Sequence, residues 1–590
     1  MNSLKTTWDL SPLFKSDNDP TIAKDRKVAV RETSRFVKKW ESRTDYLKDP
    51  KILLEALDDY EKWARFYGYN YRESYYFDLR HSVNQPDPKI KAKVNQAEEL
   101  AQKLQNAIQF FELRVAKIDS KLQKKSLTYN PLSPYKHFLE KLFEAQKHLL
   151  TEPEEKIMTL KSTTSYTNWV RMTSTFLTKE ERDGKNFSEL LGLMNNKNKK
   201  IRDSAAVSFN EILRAHVEVA EHELNSVLQN KKINDELRKY NRPDQARHVG
   251  DDVDTTTVDT VIETVTRHFD ISKKYYELKA KLFGVAKLAY HERNVEYGKI
   301  AKKYSLEESV RIIKQTLTHL DSDFVEIFRA FLNEGRVDVY PKKGKKSGAF
   351  CVYGLITHPS YILLNYNNLL DDVRTFAHEL GHGINDELMR KIQNSLNFGT
   401  PTSTAEVAST FFEDFVIQEL LNKADDETKL IFMMAKLNQD VSSIFRQIAF
   451  YNFETELHRE FRKIGYLSKD AIGKIFQKHM VSYMGEAIEQ SKGAENWWTY
   501  VEHFRYFFYV YSYASGLLIS KSLQASVKKD PKFIEKVKDF LSAGSSDSPK
   551  NIFAQLGIDI TDKKFWKKGI SEVDTLLTKT EKLAKKLRKI

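Results

Sequence analysis

Phe376, Leu380, Ile384 and Leu388 recur at every fourth residue, the spacing of one face of an α-helix. Inside that stripe lies His378-Glu-Leu-Gly-His382. Residues four apart sit on one helical face, about one turn from each other, so the two imidazoles share a face that the apolar stripe does not occupy. A helix here has to bury one side in a core and keep two histidines on the other. Histidines used only for packing would share the apolar side. Two imidazoles so placed suit zinc, which takes nitrogen ligands in tetrahedral sites. Glu379 adjoins that face, where a carboxylate can accept a proton from water activated at a metal.

A catalytic zinc site commonly uses three protein ligands. The next helix-like segment runs from Thr402 to Phe415 and carries Glu406, with Ser409 and Glu413 on the same face. The interval from His382 to Glu406 allows one helix to end, a loop to turn and a second helix to return. Glu406 can then bind the metal, and Glu413 can hold a histidine N–H from behind, the usual support of a metal-binding imidazole. A second reading of Glu406 stands beside this one. Ser403-x-x-Glu406 also fits a capping box, in which the glutamate only satisfies a backbone N–H.

The segment from His503 to Gly516 is unusually rich in tyrosine. Read as one continuous helix, it places His503, Tyr506 and Tyr513 on one face, Tyr509 at the edge of that face, and Tyr511 elsewhere. An imidazole and several phenols are the donors an amide hydrolase needs where oxyanion charge develops. Half-buried aromatic packing is the alternative.

His378-Glu-Leu-Gly-His382, then Ala405-Glu-Val-Ala-Ser-Thr-x-x-Glu413, then His503-Phe-x-Tyr-x-Phe-Tyr-Val-Tyr-x-Tyr-Ala-Ser-Gly516 together resemble oligoendopeptidase F, of the thimet-oligopeptidase-like zinc metallopeptidases. Lys342–Cys351 resembles the family's glycine-containing loop and strand. Pro359–Asn365 resembles the strand before its metal helix, and the opening Trp8-Asp-Leu-Ser-Pro-Leu-Phe14 resembles its start. The resemblance implies one zinc ion held by His378, His382 and Glu406, with Glu379 as the base. It implies that His503 and Tyr506 or Tyr513 contact the substrate and polarise its carbonyl. It also implies a mostly α fold, with two helical lobes around a deep channel that admits short peptides. The segment Lys391–Pro401 does not match the family at residue level.

The rest of the 590-residue chain fits this outline. Glycine and proline are scarce, 21 and 14, which favours long helices with few turns. Apolar residues spaced three and four apart mark helices over 89–118, 203–231 and 255–283. Strands are expected at 337–340, 349–352 and 361–365, a small β-sheet beside the zinc helix whose edge can bind an extended peptide. A soft boundary near Asn195 divides an N-terminal helical domain, 1–195, from a catalytic domain, 196–590. The net charge of +13 comes from lysines dispersed among acids, without a nucleic-acid-binding signature. One cysteine, Cys351, allows no internal disulfide and fits a reducing compartment. The first residues lack the apolar core of a signal peptide, and no apolar run reaches the length of a membrane span.

The expected protein is a cytoplasmic zinc endopeptidase acting on internal bonds of short peptides, with neither nucleic acid nor membrane as a partner. Two alternatives remain at this level: a carboxypeptidase releasing dipeptides from the same zinc core, and a peptide-binding protein without turnover. Oligomeric state and cleavage preference are not written in the sequence.

Overall fold

The computed structural model describes residues 4–68, 70–299, 302–401 and 404–590. These residues form a mostly α protein with only small sheets, as the shortage of helix-breaking residues requires. The periodic run at 89–118 is helix α1, Pro88–Ala116. Asp87 starts it by accepting from the Lys89 and Ile90 N–H groups, with Pro88 in the first turn. The run at 203–231 lies within α2, Lys199–Leu237, capped by Asn198. The run at 255–283 is two helices, α3 (Thr255–Thr266) and α4 (Phe269–Leu282). At the break His268 Nδ1 donates to the Thr264 carbonyl at 2.7 Å, so a side chain takes over a carbonyl that the helix end leaves free. Later in the chain come α5 (Leu370–Ile392), α6 (Ala405–Lys423), α7 (Arg446–Ile464), α8 (His503–Tyr506) and α9 (Tyr511–Lys529).

The chain groups into two compact units, each made of three segments. The first comprises Met1–Gln146, Ala301–Asn422 and Ser526–Gly557. The second comprises Lys147–Ile300, Lys423–Ala525 and Ile558–Ile590. This grouping differs from the expected division at 195, because the N-terminal helices are pinned to a sheet far along the chain. Trp8 Nε1 donates to the Ile362 carbonyl at 2.8 Å, and Tyr75 Oη donates to the Val352 and Pro359 carbonyls, each at 2.9 Å.

That sheet lies in the first unit and has three strands: β1 (Val337–Asp338), β2 (Phe350–Val352) and β3 (Tyr361–Leu363). All three fall within the stretches expected, 337–340, 349–352 and 361–365, though shorter. Their order is β1-β3-β2; β1 runs parallel to β3 and β2 antiparallel, with Cys351 opposite Ile362. Tyr361, Ile362 and Leu363 are all fully buried, as expected of a central strand covered on both faces. β2 is an edge strand, and α5 packs against β2 and β3.

In α5 the apolar stripe behaves as its spacing requires. Phe376, Leu380, Ile384 and Leu388 are buried, while the side chains of His378 and His382 keep 26% and 25% of their surface exposed. Asp372 begins the helix by accepting from the Asn367 and Leu369 N–H groups at 2.7 and 2.8 Å. With Asp371 it puts negative charge in the first turn, where the helix dipole favours it.

Gly381, between the two histidines, sets how closely α5 meets α6. A Cβ at this position would lie 2.6 Å from Ser409 Cα and 2.8 Å from the Ala408 carbonyl. Both are backbone atoms of α6, which cannot swing away as a side chain can. Gly381→Ala should therefore push the helices apart and destabilise the protein by about 1–3 kcal/mol, the usual range for overpacking. Thermal unfolding of the metal-free protein checks this, and an unchanged Tm would contradict it.

Candidate metal centre

α5 and α6 carry the groups that could hold a metal. The ligand atoms of His378, His382 and Glu406 all lie within 4.8 Å of one another. Glu406 Oε2 is 3.4 Å from His378 Nε2 and 3.7 Å from His382 Nε2. A tetrahedral zinc ion with bonds of about 2.0–2.1 Å separates its donors by about 3.3 Å. Two imidazole nitrogens and one carboxylate oxygen at these spacings fit such an ion, with one position left for water or substrate. Ser403, on which the capping alternative for Glu406 depends, lies outside the described residues. The Glu406 carboxylate itself turns toward the histidines, where Ser409 Oγ also donates to it at 3.0 Å.

Outer partners fix the first histidine. His378 Nδ1 donates to Glu413 Oε2 at 2.9 Å, leaving Nε2 toward Glu406. Glu413 is buried, 2% exposed, and its other oxygen meets Arg374 Nη1 at 3.3 Å. Arg374 also pairs with Asp371 one turn earlier in α5. The sequence pointed to Glu413 but carried no signal for Arg374.

The electrostatics of the pocket favour a cation. Burial works against charge on His378, yet its hydrogen bonds to Glu406 and Glu413 raise its pKa to about 10. Burial also opposes charge on Glu406, but the His378 hydrogen bond and the nearby His382 bring it down to about 2. His382, with no comparable partner, is lowered by burial to about 4 and stays neutral, as a metal ligand must. Glu379 is 8% exposed, and burial raises its pKa above the ordinary carboxylate value. α5 packs against β2, so the sheet edge lies beside the helix that carries this carboxylate.

His503 and the tyrosines lie in the second unit, and here the structure departs from the continuous helix expected. α8 ends at Tyr506, and α9 begins at Tyr511. Between them Phe507 and Phe508 take positive φ, 54° and 57°, which costs on the order of 1–3 kcal/mol per residue. The chain turns there, so the rotational positions of a single helix no longer apply. Tyr506 is left 45% exposed, away from the cluster in which it was expected. Tyr509 moves in: its hydroxyl bonds His503 Nδ1, and the rings of His503, Tyr509 and Tyr513 lie 5.3 to 6.0 Å apart. Burial lowers His503 to about 4, and Arg446 adds to the effect. The ring is thus neutral, with one of its two nitrogens protonated. Tyr511 serves structure instead, being buried with its hydroxyl on Asp251 Oδ2 at 2.9 Å. Helical spacing put Tyr509 only at the edge of the histidine's face, because two phenylalanines do not announce a left-handed turn as glycine would.

Among the described residues, no helix is long and apolar enough to cross a membrane. Two further groups have metal-like spacing, His137 with Glu140 and Asp547, and Asp203 with His291 and Glu292. The latter is already occupied by the cations of Lys199 and Arg202.

A fold built on a helix pair that presents two histidines and a glutamate, with a buried carboxylate beside them, defines a metallopeptidase of the His-Glu-x-x-His class. Comparison with known sequences narrows this. The chain belongs to peptidase family M3, whose family model matches residues 192–572, and an oligopeptidase F model matches residues 115–178. It is a metallo-oligopeptidase of that family, a hydrolase of peptide bonds, and is similar to oligoendopeptidase F. The oligoendopeptidase F homolog of Lactococcus lactis subsp. lactis is 25% identical, the match covering 99% of this chain and 98% of that one. Oligopeptidase PepF of Bacillus subtilis is 24% identical over 78% of this chain and 72% of its own. A crystal structure from Chlamydophila abortus shares the fold at a TM-score of 0.84 and 21% identity, covering 98% of both chains. The oligoendopeptidase-F structure from Enterococcus faecium does so at 0.70 and 17%, covering 96% of this chain and 99% of that one.

Two measurements follow from this geometry. Glu413→Gln, which weakens the support behind His378, should lower zinc affinity by about 10–100-fold; competition with a chelator reads it, and unchanged affinity would remove Glu413 from that role. The second concerns Glu454 on α7. Burial pushes its carboxyl up to about 8, opposed by the Phe508 N–H, Arg247 and Lys231 and aided by Asp244. The folded protein therefore keeps a proton there that the unfolded chain releases near its ordinary value of 4.5. Between those values the folded state binds more protons, so this residue makes stability fall as pH rises. Glu454→Gln should gain in Tm over wild type at pH 9 relative to pH 5, and a pH-independent difference would refute the assignment.

Proposed function

We propose that this metallo-oligopeptidase is a zinc endopeptidase cutting internal bonds of short peptides. The observation that carries the reading is the convergence of His378 Nε2, His382 Nε2 and one Glu406 oxygen at the spacing of a zinc donor set. A zinc ion so held would supply Lewis acidity, lowering the pKa of a water and polarising the scissile carbonyl. Glu379 takes a proton from the attacking water and hands it to the leaving amine. Its raised pKa suits both halves of that transfer. The edge strand β2 receives the substrate backbone in extended form, as an unpaired sheet edge can. His503 and Tyr513 donate to the oxyanion. Tyr509 bonds the imidazole, and exposed Tyr506 takes no part in this reading.

The sequence family models leave a gap between residues 178 and 192, which supports an N-terminal module over 1–195 and a catalytic module over 196–590. A single cysteine suits a reducing compartment such as the cytoplasm. Short peptides are the partners proposed, with neither nucleic acid nor membrane.

The test is mass spectrometry of a peptide pool, about 5 to 25 residues long, incubated with zinc-loaded wild type and with Glu379→Gln. Internal cuts made by wild type alone, with zinc retained by the variant, are the expected result. Release of C-terminal dipeptides alone would replace the endopeptidase with a trimming enzyme. Turnover retained in Glu379→Gln would remove Glu379 as the base. Tyr513→Phe should cost about 10²–10³ in rate, the range for loss of one oxyanion donor, whereas Tyr506→Phe should stay near wild type. The reverse order would restore Tyr506 to the site.

A further inference from the structure

The turn between α8 and α9 has its polar backbone groups taken by three side chains from elsewhere in the second unit. Tyr166 Oη donates to the Arg505 carbonyl at 2.5 Å. Tyr166 stands in a π-helical turn, Thr163–Thr167, of the kind that often interrupts helices at functional sites. Arg247 Nη2 donates to the Tyr506 carbonyl at 3.0 Å, and Arg247 Nε to the Phe507 carbonyl at 3.2 Å. The Phe508 N–H donates to Glu454 Oε1 at 3.0 Å. One planar guanidinium thus bridges two successive carbonyls while a buried carboxyl oxygen takes the next N–H. Two of these contacts fall on the residues of positive φ themselves, at the Phe507 carbonyl and the Phe508 N–H.

These contacts are not explained by packing alone. Phe508 is fully buried against Tyr451 and His458, and a buried phenylalanine needs no left-handed backbone. What the turn does is bring Tyr509 back toward His503, six residues earlier in the chain. A helix continued through Phe507 and Phe508 would leave Tyr509 at the edge of the histidine's face instead. Arg247 also lies over the Tyr509 ring, 5.7 Å from its centroid. The same side chain therefore touches the turn and the residue the turn delivers.

We propose that Arg247 and Glu454 are positioning residues for hydrolysis: they hold the Phe507–Phe508 turn in its left-handed form and so aim His503, Tyr509 and Tyr513. This deepens the oxyanion reading of that cluster and rests on it. Glu454 acts as a neutral acceptor, consistent with its raised pKa. Its role therefore requires an oxygen at that place and not a charge. Arg247 acts through its two-pronged shape, which a single ammonium does not reproduce.

The experiment uses the full-length, zinc-loaded protein and a quenched fluorescent peptide selected from the pool that wild type cleaves. Arg247→Ala and Glu454→Leu should lower kcat by about 10- to 100-fold, the range for misplacing a catalytic group by about 1 Å. KM should remain near wild type and zinc content unchanged. Glu454→Gln should restore wild-type kcat, because its amide oxygen can accept the same N–H. Arg247→Lys should resemble Arg247→Ala. A folded, zinc-loaded Arg247→Ala with wild-type kcat, beside a slow Tyr513→Phe, would overturn the proposal and leave the oxyanion reading intact. Equal losses in Glu454→Gln and Glu454→Leu would also overturn it. Wild-type rates for both Tyr509→Phe and Tyr513→Phe would instead sink the oxyanion reading itself. If Glu454→Leu does not fold, Arg247→Ala decides, since that side chain is partly exposed.

Discussion

The close approach of α5 and α6 at Gly381 is the constraint on which the metal centre depends. With no Cβ at that position, the backbone of Ser409 can lie against the helix that carries both histidines. That contact puts Glu406, three residues before Ser409, within reach of His378 and His382, and puts Glu413, four residues after it, behind His378. Four side chains of the candidate centre, on two helices, are thus registered by one missing methyl group. The apolar stripe of α5 holds the other side of the arrangement, because it anchors the helix to the core and leaves only the histidine face free.

Charge then completes what packing begins. Two carboxylates on one imidazole, with a third carboxyl close by, make a pocket in which positive charge is favoured. His378 shows this by holding a proton far above the ordinary histidine range. A metal ion answers the same field with two charges in place of one, and neutral His382 is ready to bind it without first losing a proton. Glu379 differs from its neighbours in having burial, and not a cation, as its main influence. Its pKa consequently moves up while that of Glu406 moves down, the kind of separation that would suit one carboxylate to proton transfer and the other to a cation.

The histidine–tyrosine cluster depends on a different device. Its residues lie within one short stretch of chain, but a regular helix would distribute them around its axis. A left-handed turn at two phenylalanines gathers His503, Tyr509 and Tyr513 and discards Tyr506. Backbone in that conformation persists only where its surroundings hold it. The ring of donors and acceptors supplied by Tyr166, Arg247 and Glu454 is what holds it here.

Much of the metal centre was legible in the sequence because it is written in short-range periodicity. Spacing alone put His378 and His382 on one face of a helix and the apolar stripe on another, and the three short strands were expected just before it. Glycine and proline scarcity set the fold class, since a chain with few breakers and amphipathic spacing has little choice but helix. Tertiary structure decided what depends on contact between distant segments. Whether Glu406 reached the histidines turned on how closely two helices could approach. The grouping of N-terminal helices with a sheet some three hundred residues later turned on Trp8 and Tyr75 meeting backbone carbonyls of that sheet. That Tyr509 meets His503 while Tyr506 stays exposed turned on a left-handed turn that phenylalanine adopts only under external restraint. Local sequence encodes the direction each side chain takes on a regular element; where an element is broken by forces from elsewhere in the fold, only the packed structure contains the answer.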